Sequence, residues 1–89
     1  MTEITVESAG GDTYRVTVSE TRSSTTHDVT VSPADLDRLG SGGTPVKLIE
    51  ASFRFLPDRE SKESILKWFD LDVISRYFPE YPSRIADYL

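Results

Sequence analysis

The stretch KWFDLDVISRYFPEYP, from Lys67 to Pro82, decides how the second half of this chain is built. Seven of its sixteen residues are aromatic or proline, and two aspartates flank the single leucine of DLD. Read together with the preceding DRESKESIL, its apolar side chains fall at helical spacing. Ile65, Leu66 and Phe69 share one face, and Val73, Ile74, Tyr77 and Phe78 share another. The spacing predicts a short helix over about 61–69 and a second through LDVISRYF, capped by Asp70 and ended by Pro79. The remaining YPSRIADYL is expected to add a last helical turn or to fray.

Upstream, the same grammar is better punctuated. In TPVKLIEASFRFLP, Thr44 is a natural cap and Pro45 suits the first helical position. Val46, Ile49, Phe53 and Leu56 recur at spacings of three and four, with Leu48 and Phe55 widening the stripe. This predicts a helix over 45–56 lying across a sheet. SPADLDRLG reads as a shorter helix, with Ser32 as cap, Pro33 at its first position and Asp35 in its first turn. Gly40 ends it, and Gly40–Gly43 reads as a flexible link.

The first third of the chain alternates instead. Ile4 and Val6, then Tyr14, Val16 and Val18, then His27, Val29 and Val31 occupy one face of three period-two runs. Gly10–Gly11 supplies a tight turn and ETRSST (20–25) a polar loop. The expectation is an antiparallel meander wet on one face. The whole is read as a single α+β domain over 1–89: a three-stranded antiparallel β-meander (residues 2–32) followed by three or four short helices packed on one face. Its expected core comprises the strand residues above, except His27, together with Leu36, Leu39, Val46, Ile49, Phe53, Leu56, Ile65, Leu66, Phe69, Ile74 and Phe78.

Composition bounds the function. The 89 residues carry a formal net charge of −5, and the acidic and basic side chains are spread evenly rather than gathered into a tail or patch. The phosphate backbone repels such a surface. There is no cysteine, which suits a reducing compartment and rules out disulfides and thiolate metal sites. No apolar run reaches membrane-spanning length, and the N-terminus lacks a signal-peptide pattern, so a cytoplasmic location without membrane contact is expected.

Catalytic chemistry finds little to work with. The single histidine, His27, lies in a strand run with Asp28 pointing to the opposite face, and reads as a histidine at a sheet margin. The DLD pairs at 35–37 and 70–72 suit helix starts, and lack the further oxygen ligands of a calcium loop. The glycine pairs are too irregular for a phosphate loop. No enzyme, metal site or cofactor site emerges. Residues 63–78 do imitate a helix-turn-helix, which makes a nucleic-acid-binding regulator the alternative function. Its second helix, however, would present Arg76 among Asp70, Asp72 and Glu80.

The string ESILKWFDLDVISRYFPEY, from Glu63 to Tyr81, resembles the C-terminal signature of a family of small, uncharacterised bacterial proteins. The LIEASFRFL helix of that pattern corresponds to Leu48–Leu56. The resemblance extends over about 44–82 and loosely over 13–43. Where relatives often carry FLLERE, this chain has FLPDRE, which implies a sharper helix end at Pro57. The resemblance implies architecture and no activity.

Eight of the nine aromatic residues follow position 44, a surplus for so small a core. Tryptophan, tyrosine and arginine dominate interface hot spots. The expected function is therefore a non-catalytic protein–protein interaction module whose partner-binding residues are Trp68, Arg76, Tyr77 and Tyr81. Because a ligand of the folded state must raise its melting temperature, a dye-monitored melt should not shift with zinc, calcium, magnesium, nucleotides or flavins. A rise of several degrees with any of them would contradict this expectation.

Overall fold

Gly10 and Gly11 close the first hairpin with φ of 109° and 55°, conformations that side-chain-bearing residues disfavour. They join β1 (Glu3–Gly10) to an antiparallel β2 (Thr13–Ser19), with a register shift between Ser8 and Gly10. A turn in which Glu20 N–H donates to the Ser23 carbonyl (2.8 Å) leads into β3 (Ser24–Thr30), antiparallel to β2. This computed structural model describes residues 3–40, 43–59 and 61–89. Thr2 of the expected meander, and Ser41 and Gly42 of the expected link, lie outside the described residues.

The predicted alternation holds on all three strands. Val16, Val18, Val29 and Val31 are buried, with Ile4, Val6 and Tyr14 packed against them. On the opposite face Arg15 meets Asp28 at 3.4 Å, and the Thr13 and Thr30 hydroxyls lie 3.4 Å apart. β3 starts at Ser24 rather than Thr26, which shortens the expected 20–25 loop. Lys62 also ties that loop down, because its ammonium reaches the Glu20 carboxylate at 2.7 Å as well as Glu63. Hydrogen bonds that the Lys62 ammonium donates to the two carboxylates, chiefly Glu20, hold it above its ordinary pKa, and Lys62 in turn lowers that of Glu63.

Both upstream helices form where their caps predict. Ser32 accepts from Asp35 N–H (3.1 Å) to start α1 (Pro33–Leu39), and Thr44 accepts from Lys47 N–H (3.2 Å) to start α2 (Pro45–Phe55). The second ends at Phe55 rather than Leu56, passing into a tight turn over Leu56–Asp58 that contains Pro57. It is buried on two sides. Phe53 packs on the sheet near His27 and Phe69, with ring centroids 5.5 and 6.3 Å away. Phe55 points away, into edge-on contacts with Phe78, Tyr81 and Tyr88. The Arg59 guanidinium lies 3.6 Å above the Phe55 ring centroid. Val46, placed at the end of the stripe, is left exposed.

The main departure lies at 61–70. In place of a helix over 61–69, the chain makes one tight turn at Lys62–Ser64, extends, and enters β4 (Trp68–Asp70), parallel to β3. The sheet is thus four-stranded and mixed, in the order β1-β2-β3-β4, rather than a three-stranded meander. The physical reason is the open edge of β3. Asp28 N–H donates to the Lys67 carbonyl (2.7 Å), and Leu71 N–H donates to the Thr30 carbonyl (2.9 Å). A short helix leaves its terminal groups unpaired, and it would have left that strand edge unpaired too. The helix-turn-helix-like arrangement over 63–78 is consequently not formed. Leu66, expected in the core, becomes an exposed side chain of the extended segment.

His27 fixes this segment. Far from a sheet margin, it is 1% exposed. Its Nδ1 lies 2.8 Å from the Leu66 carbonyl, which can only accept, so Nδ1 carries the proton and Nε2 accepts from the Thr25 hydroxyl at 2.8 Å in the neutral ring. Beyond β4 come α3 (Val73–Tyr77) and α4 (Tyr81–Arg84), then a final turn over Ile85–Tyr88. Asp70 therefore sits in a strand and caps nothing, while Asp72 precedes α3 and binds Arg38 at 2.6 Å. The last turn packs rather than frays, since Ile85 is buried.

His27→Ala should leave the Leu66 carbonyl without its donor, at a cost of about 1–3 kcal/mol beyond lost packing. Amide exchange should accelerate most at Asp28 and Leu71, which bind across the β3–β4 seam, and least at Val16 and Val18. Uniform acceleration would show that the histidine does not act on the seam.

Candidate functional site

Alternation along β4 turns Phe69 into the core and leaves Trp68 and Asp70 outside. One turn further on, helical spacing buries Ile74 and puts Arg76 and Tyr77 outside. Between the strand edge and α3 runs a groove of about 500 Å³. It is lined by the apolar Leu66, Phe69 and Val73, of which Phe69 is buried and Leu66 exposed, and by Trp68, Asp70, Arg76 and Tyr77. Trp68 is 73% exposed and Tyr77 67%, the largest values among the exposed large hydrophobic residues. Among the described residues, neither Asp70 nor Arg76 has an ion-pair partner.

Three of the four side chains singled out from the sequence therefore meet in one groove. Tyr81 does not. It is 0% exposed, beneath α2, with its hydroxyl 2.6 Å from Ser52 Oγ. Ser52 Oγ donates to the Leu48 carbonyl at 2.7 Å, so the tyrosine hydroxyl is the donor to the serine. Tyr81 is a core residue, not a partner-facing one. Sequence reasoning missed Leu66, Asp70 and Val73 as groove residues because it read the preceding segment as helical. In an extended chain, Leu66 and Trp68 turn away from the core-facing Ile65 and Phe69, a signal visible only once β4 is known.

The groove offers an indole, a phenol, a guanidinium, one carboxylate and aliphatic walls, a set suited to binding surfaces. His27 is not among the residues that line the groove; it is 1% exposed, with its ring held between the Thr25 hydroxyl and the Leu66 carbonyl. No group of three or more histidine, cysteine or acidic side chains among the described residues is placed to hold a metal ion. No helix among them is long and apolar enough to cross a membrane.

No family model matches the chain, and no curated protein or solved structure gives a significant match.

Burial of Tyr81, against a smaller opposing contribution from Ser52, pushes its pKa up to about 12, above the ordinary value of about 10. The folded state therefore holds this proton more tightly than the unfolded chain. Its contribution to stability is fully present below pH ~10 and is lost as pH rises from ~10 to ~12, a fall of about 2–3 kcal/mol. Tyr81→Phe should cost about 1 kcal/mol at neutral pH through the lost hydrogen bond and should flatten that alkaline fall. Urea titrations at pH 8, 10 and 11 check both effects. An unchanged slope in the variant would assign the fall to other groups.

Proposed function

We propose that the protein is a non-catalytic, cytoplasmic protein–protein interaction module that docks its partner in the groove between β4 and α3. The observation that carries this proposal is the placement of Trp68, Tyr77 and Arg76, the last without an ion-pair partner among the described residues, in one groove with the apolar Leu66, Phe69 and Val73. These three residue types carry most of the binding energy at protein interfaces, particularly where a ring can be desolvated over an apolar base. The absence of cysteine supports a reducing compartment. The net charge of −5, with Asp70 and Asp72 near Arg76 in sequence, weighs against a polyanionic partner.

In the monomer, Trp68→Ala and Tyr77→Ala should change unfolding free energy by no more than about 0.5 kcal/mol, as surface substitutions do. Phe69→Ala, on the buried side of the same strand, should cost roughly 3–5 kcal/mol. Tagged full-length chain carrying a photo-crosslinking residue at position 67, beside Trp68, should capture a protein in its native cell, and Trp68→Ala, Tyr77→Ala or Arg76→Glu in the same background should abolish that capture. Capture that survives these substitutions would place the docking surface elsewhere.

A further inference from the structure

We infer that the groove's occupant is a second copy of this chain, joined across a two-fold axis by β4 pairing antiparallel with its symmetry mate. The inference rests on the protein-docking role proposed for the groove and names what fills it.

The main chain sets the shape of the occupant. The Lys67 carbonyl and the Leu71 N–H are bound to β3. With a period of two, residues 67, 69 and 71 direct their main-chain groups toward β3, and Trp68 and Asp70 direct theirs to the open edge. β4 is an outer strand of the sheet. An edge of this kind is completed by an extended chain, not by a helix or a small molecule. Centred on Phe69, an antiparallel pair would exchange N–H and C=O bonds between Trp68 and the partner's Asp70, and again, by symmetry, between Asp70 and the partner's Trp68.

Charge identifies the chain that supplies this strand. A two-fold interface sets one surface patch against itself, so each unpaired charge needs its opposite within the same patch. The groove meets that condition with one cation, Arg76, and one anion, Asp70, neither paired among the described residues. Across the axis, Arg76 faces the partner's Asp70. The other outer strand fails the same condition, because β1 carries Glu3 and Glu7 and an irregular register near its end.

Apolar surface supplies the attraction that so short a ladder lacks. Leu66, Trp68 and Tyr77 are three of the five large hydrophobic residues exposed among those described, and all three line this groove. Pairing of β4 strands brings both copies of each to the same seam, where their burial drives association.

Sedimentation equilibrium on the full chain tests the inference. The wild-type protein should show the mass of a dimer. Asp70→Arg and Arg76→Asp should each be folded by circular dichroism yet monomeric, with dissociation constants raised on the order of a hundredfold, because the two-fold axis repeats each like-charge contact. An equimolar mixture of the two variants restores both Asp–Arg contacts and should recover the dimer. A wild-type chain that stays monomeric up to millimolar concentration overturns the inference. So do single variants that remain dimeric, or a mixture that remains monomeric. The docking role fails separately: a monomeric wild type that still captures a different protein through Trp68 sinks only the second-copy inference, whereas loss of groove-dependent capture of any protein sinks the docking role.

Discussion

The outer edge of β3 is the constraint around which the rest of the chain is arranged. Seven residues of strand, two of them deeply buried valine and histidine positions, cannot leave their main-chain groups unpaired beside an apolar core. Three residues of β4 meet that need, and the His27 ring secures the approach by donating to the Leu66 carbonyl. Once residues 65–70 are extended, Ile65 and Phe69 enter the core under Phe53, and α3 must begin just beyond the sheet edge. The groove is therefore a by-product of strand completion: the edge of β3 is satisfied, and a shorter edge is displayed in its place.

The second organising element is α2, which is not the one-sided amphipathic helix of a two-layer protein. Phe53 faces the sheet and Phe55 faces the C-terminal turns, so the helix is buried between two layers. Ser52 shows how closely the outer layer fits, since its hydroxyl satisfies both its own helix and the Tyr81 hydroxyl. The short C-terminal helices would be marginal in isolation. Phe55 of α2 gives them a definite place through its contacts with Phe78, Tyr81 and Tyr88, and α3 packs against α4.

Much of this was legible in the residues. Strict alternation in TYRVTVS and the caps Ser32 and Thr44 are local signals, and they predicted β2, α1 and α2 to within a residue or two. β4 was not legible, because Ile65, Leu66 and Phe69 suit a helix as well as Ile65 and Phe69 suit an extended chain. The deciding partner, the edge of β3, is remote in sequence. Tyr81 was misread for the same reason, since its partner Ser52 belongs to α2. Trp68 is exposed because strand neighbours point to opposite faces, which puts it outside where Phe69 is inside. Trp68, Arg76 and Tyr77 line one groove because α3 forms beside β4.

The pairing of Asp28 with Trp68 has a consequence for the order in which the molecule is made. Translation delivers the β1–β2–β3 hairpins first, and their contacts are local enough to form early. The strand that covers β3 leaves the ribosome only after both upstream helices have been synthesised. Until then a nascent chain carries an open, apolar-faced strand edge, the kind of surface that recruits other extended segments. Closing the long crossover is the slow event, because chain entropy must be given up before the distant contacts return any stability. The vulnerable interval of this protein's life thus falls between the emergence of Thr30 and that of Leu71.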